Sequence, residues 1–135
     1  MASRKGAAQM DDVVIVHTDE RTLMRLTAMV SRTRFSATAV RSLRPVQSAR
    51  RLLPLRPAAM VVALDGRANV TDVRELLSTG GPTRFVFLVP AMPPPPAVAR
   101  LVRRHGSTII GSGEAAIVLV ATLVALLAAH SVGAP

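Results

Sequence analysis

The sequence contains no cysteine, no tryptophan and no tyrosine, and Phe35, Phe85 and Phe87 are its only phenyl rings. Without thiols there can be no disulfide, no thiolate metal site and no cysteine nucleophile, which fits a cytoplasmic setting. With so few rings, stacking on exposed bases has no platform. Acidic residues are also scarce, eight against seventeen lysines and arginines, for a net charge of +9. That balance attracts polyanions, yet the arginines occur singly or in pairs such as Arg50-Arg51 and Arg103-Arg104, spread over several expected helices. Such a pattern describes a solvated basic surface more than a nucleic-acid site.

What remains is aliphatic. Half of the 135 residues are hydrophobic, so a core must be built from Val, Leu, Ile, Ala and Met, and the length suits one domain. Residues 1–11 carry Arg4 and Lys5 but no signal-peptide run, and are expected to be a short disordered tail. The domain is expected over residues 12–130, with the start of a linker at 131–135.

Three continuous apolar runs, Val13 to Val16, Ala58 to Leu64 and Phe85 to Val89, predict strands buried on both faces, as in a parallel sheet covered by helices. Phe35 to Val40 and Ser107 to Ile110 predict two shorter strands. Between them, apolar residues recur at helical spacing: Leu23, Leu26, Met29 and Val30; Val46, Ala49, Leu52 and Leu53 after Pro45; Val70, Val73, Leu76 and Leu77; Val98, Leu101 and Val102. Thr18 or Asp19 can cap the first helix, Pro45 suits the first position of the second, and Gly106 stops the fourth. Strands and helices alternate five times with short connections, which predicts a doubly wound, five-stranded parallel α/β fold. Function in such folds sits beyond the carboxyl ends of the strands.

Chemistry is sparse at that edge. HTDERT after the first strand lacks the glycine spacing of a phosphate-binding loop, and Asp19, Glu20 and Asp65 are too few and too easily explained as capping and turn residues to hold magnesium. His17 has no partner that the sequence can pair with it as a nucleophile and base. No catalytic residue, metal site or cofactor is expected.

The order of the segments resembles the receiver domain of bacterial response regulators, with strand order 2-1-3-4-5, across Asp12 to His130. VVIVHTDE is similar to the first receiver strand and its acidic turn, RPAAMVVALDG to the strand bearing the acceptor aspartate, and TRFVFLVPA to the strand bearing the switch hydroxyl. The resemblance implies an acidic pair, yet His17 and Thr18 stand there. It implies an acceptor aspartate at Ala63, a switch Thr or Ser at Val89, and a lysine near Ser112; none is present. Asp65, two residues beyond Ala63, is the nearest carboxylate. His17, Thr18, Ala63, Asp65, Val89 and Ser112 thus outline a degenerate phosphorylation pocket, neutral enough to admit a small-molecule ligand. The tail AAHSVGAP resembles the junction in NarL/LuxR-type regulators, where DNA is bound by a C-terminal helix-turn-helix, absent from this chain.

Ala115 to Ala129 is apolar on nearly all sides. One face can cover the sheet, and the other invites a partner. A homodimer through Ile117, Leu119, Val120, Leu123, Leu126 and Leu127 is expected. A membrane segment is the competing reading, but fifteen residues rise only about 22 Å against a hydrocarbon core of about 30 Å.

Overall fold

Four consecutive aliphatic residues, Val13 to Val16, form the centre of strand β1 (Asp12–His17), and all four are buried because both faces of the strand are covered. The computed structural model describes residues 12–64, 70–90 and 92–133. After β1 come α1 (Glu20–Ser31), β2 (Ser36–Arg41), α2 (Pro45–Leu52) with a 3-10 turn at Leu53–Leu55, β3 (Ala59–Ala63) and α3 (Val70–Thr79). Then follow β4 (Arg84–Val89), α4 (Pro96–His105), β5 (Thr108–Gly111) and α5 (Ala115–Gly133). The strands form one sheet in the order β2-β1-β3-β4-β5, every neighbouring pair parallel. This is the doubly wound architecture expected from the sequence, and the resemblance supplied its strand order.

Period-two alternation divides the buried strand residues between two cores. Val13, Ile15, Ala59, Val61, Val86 and Leu88 face α1 and α5. Val14, Val16, Met60, Val62, Phe85 and Phe87 face α2, α3 and α4. Three helix ends follow the expected local chemistry. Asp19 caps α1 by accepting the Thr22 N–H at 2.9 Å, and Pro45 occupies the first position of α2. Gly106 ends α4 in the left-handed conformation (φ 80°), its N–H bonding to the Arg103 carbonyl and that of Ser107 to Val102.

The last helix corrects the expected interface. Leu119, Leu123 and Leu127 are buried in the core with α1 and the sheet, and Val120 and Leu126 are half-buried against the same cluster. Of the six residues expected to face a partner, Ile117 alone is largely exposed, at 81%. The cause is spacing: Ala115, Leu119, Leu123 and Leu127 recur every four residues and lie on one side of the helix. The outer side is instead Ile117, Ala121, Val124, Ala125 and Ala128. The helix also continues to Gly133, beyond the expected end at Ala129.

Candidate functional site

Parallel registration aligns the carboxyl ends of the strands along one edge. His17 ends β1 opposite Arg41 of β2, Ala63 ends β3 opposite Leu88, and Val89 ends β4 opposite Gly111 of β5. The peptide of Leu64 donates to the Leu88 carbonyl (2.7 Å) and that of Ser112 to the Val89 carbonyl (2.8 Å), so the edge is tied across three strands. Five of the six positions expected to outline a pocket, His17, Thr18, Ala63, Val89 and Ser112, lie on this edge. Asp65 lies outside the described residues.

Ala63 and Val89 are buried, Thr18 and Ser112 half-buried. Met92 comes close to Gly111: a methyl group on that glycine would stand 3.0 Å from the Met92 Cγ. The Met92 side chain thus lies against the end of β5. The prolines around Met92 hid this from the sequence, where the segment reads only as an extended loop. Among the described residues, no three His, Asp or Glu side chains come together in a way that could hold a metal ion.

His17 is structural. Its ring is buried, and its Nδ1 accepts the backbone N–H of Asp19 at 2.9 Å, fixing the turn into α1 and placing the ring proton on Nε2. Burial lowers its pKa despite the nearby Asp19 carboxylate. His105, whose Nδ1 lies 2.9 Å from the Ser107 hydroxyl, is lowered by burial and then by Arg84, against a smaller raising effect of the Leu77 backbone.

Both folded values therefore lie below the unfolded histidine value of about 6.5. As pH falls through that value, the unfolded chain binds protons that the fold resists. Stability declines from there down to the lowered folded values and levels off beneath them. The urea midpoint is expected to drop between about pH 7.5 and about pH 5.5, and to drop less in a His17→Gln/His105→Gln variant. Equal drops in both proteins would show that the histidines are not responsible.

A cleft of about 630 Å³ is formed at the opposite, amino edge of the sheet, lined by Arg50, Leu53, Pro54, Arg56, Gly80 and Pro82 among others. Nothing in the sequence marked it. It lies at the other end of the strands from the positions expected to admit a ligand.

No protein-family model and no curated protein matches the chain. Solved structures do. The response regulator domain of Thermotoga maritima CheB superposes with a TM-score of 0.66 at 15% identity, over 87% of this chain and 96% of that one. A LuxR-family two-component response regulator from an Aurantimonas species gives 0.67 at 16% identity, covering 87% and 85%. The fold is that of a receiver domain. A pilus assembly-related protein from Burkholderia pseudomallei shares it, with a TM-score of 0.64, 14% identity and coverage of 90% and 92%. Among the described residues, no helix is long and apolar enough to cross a membrane.

Proposed function

We propose that this domain is a receiver that has given up phosphorylation and works by protein contact, pairing with a second copy through the outer face of α5 within a transcription regulator. The observation that carries this reading is the methyl group of Ala63 where a receiver would present its acceptor carboxylate. Phosphoryl transfer needs an oxygen nucleophile in line with the phosphorus and a magnesium ion to neutralise the charge that develops. Ala63 offers no nucleophile, and His17 and Thr18 stand where the resemblance implies the metal-binding carboxylates. The domain has no catalysis of its own in this reading, and DNA is contacted by a separate helix-turn-helix.

The contact surface is the strip Ile117, Ala121, Val124, Ala125 and Ala128, uncharged and exposed along a helix about 28 Å long. Small residues there allow a second helix to approach closely. Incubation with acetyl phosphate and magnesium, followed by intact-mass measurement, is expected to leave the mass unchanged. Stoichiometric gain of a phosphoryl group would overturn the reading and direct attention to Asp65.

A second reading follows from the Burkholderia pilus-related structures, which share this fold over 90% of the chain with TM-scores of 0.64 and 0.63. The same contact domain would then serve an assembly rather than a promoter. Attachment of the chain to a helix-turn-helix in its native protein supports the first reading, and its absence supports the second.

A further inference from the structure

The outer edge of the sheet carries a row of backbone hydrogen-bonding groups. β2 is the terminal strand on the β1 side. His17 and Arg41 are partners in register, and the Ser42 N–H donates to the His17 carbonyl at 3.0 Å. Along a strand the N–H and C=O of one residue point to the same side, and that side alternates. Thr38, Val40 and Ser42 therefore turn their peptide groups toward β1. Ala37, Ala39 and Arg41 turn theirs away from the sheet. The side chains do not obstruct approach, because Ser36, Thr38 and Ala39 are small and exposed and Ala37 is half-buried beneath the edge. An edge of this kind is a template for one more strand.

Charge selects what that strand can be. Between Arg21 and Leu64 the sequence has nine arginines and no acidic residue. Arg32 and Arg34 stand before β2, Arg41 ends it and Arg44 follows, all four exposed. Arg34 is held over the Phe35 ring, its guanidinium carbon 5.4 Å from the ring centroid. A second copy paired antiparallel on this edge would bring Arg41 beside the partner's equivalents of Arg32 and Arg34. Like charges facing across strands oppose that arrangement. The same four arginines favour a strand that carries carboxylates.

We propose that the β2 edge docks an extended acidic peptide segment of another protein, which adds to the sheet as a sixth strand. Ala37, Ala39 and Arg41 supply the backbone bonds, and the flanking arginines meet carboxylates at either end. This surface is separate from the outer face of α5, so one domain can hold both partners.

The test uses a terminally blocked peptide of about nine residues, long enough to span β2, alternating glutamate with valine and threonine. Followed by amide hydrogen exchange, it is expected to protect the N–H groups of Ala37 and Ala39 and leave those of Thr38 and Val40 unchanged. Ala39→Pro removes an outward N–H and no bond to β1, and a terminal strand accommodates proline, so the variant should fold and fail to bind. An Arg34→Glu/Arg41→Glu variant should bind at least about tenfold more weakly. Equal binding by the peptide N-methylated at alternate residues, equal binding by its lysine counterpart, or no binding at about millimolar peptide would each overturn the proposal. So would an oligonucleotide that displaces the peptide and binds the edge more tightly.

Discussion

Replacing Leu123 by glutamate is expected to unfold the domain, whereas Ile117→Glu should leave it folded and weaken any dimer. The two residues lie on one helix six positions apart, which turns them about 120° from each other. Leu123 is fully buried between α1 and the sheet, in one cluster with Leu26, Ile15 and Leu119. Truncation to alanine at such a site costs about 2–5 kcal/mol. A carboxylate there adds the cost of a buried, unpaired charge, against a total stability of about 5–15 kcal/mol for a domain of this kind. Ile117 is 81% exposed, and a charge there stays in water. Circular dichroism with urea titration reads the first effect, and light scattering the second. A folded Leu123→Glu protein beside an unfolded Ile117→Glu protein would mean that α5 is rotated from the orientation described.

Phe85→Ala is expected to cost about 3–5 kcal/mol, and its effect should be coupled to Gly80. Phe85 and Phe87 are both fully buried on the α2–α3–α4 side, with ring centroids 5.7 Å apart. Gly80 closes α3 directly against the first of these rings. A methyl group on it would lie 2.5 Å from Phe85 Cε2 and 3.3 Å from the Leu76 carbonyl. The ring is enclosed and cannot swing clear, so Gly80→Ala alone should cost about 1–3 kcal/mol through overpacking. In a Phe85→Leu background the obstructing ring atoms are gone, and the cost of Gly80→Ala should shrink by at least about 1 kcal/mol. Additive costs in the double variant would show that the glycine is needed for another reason.

How much of this was legible in the sequence depended on whether a pattern had a direction. The runs at Val13 to Val16 and Phe85 to Val89 are buried on both faces, so their length alone identified central strands. α1 declared its inner side through Leu23, Leu26 and Val30. α5 has no such contrast: with apolar residues all round, periodicity cannot separate Leu119, Leu123 and Leu127 from Ile117 and Val124, so the expected partner-facing set mixes exposed Ile117 with three buried leucines. At the carboxyl edge, the resemblance located His17, Ala63 and Val89, and the register placed them together. The hydrogen bond from Asp19 to His17 and the approach of Met92 to Gly111 depend on turn geometry that residue order does not encode. β2 reads in sequence as a weak strand. Its weakness is physical, since SATAVR has little to bury and lies at the edge.

The measurement that bears most directly on phosphorylation-independent pairing is absolute mass by light scattering over a tenfold dilution, with and without acetyl phosphate and magnesium. The expected result is a dimer whose dissociation curve is the same in both conditions and shifts toward monomer in Ile117→Glu. A monomer that dimerises only with the phosphodonor would contradict the account and restore this domain to the phosphorylated receivers.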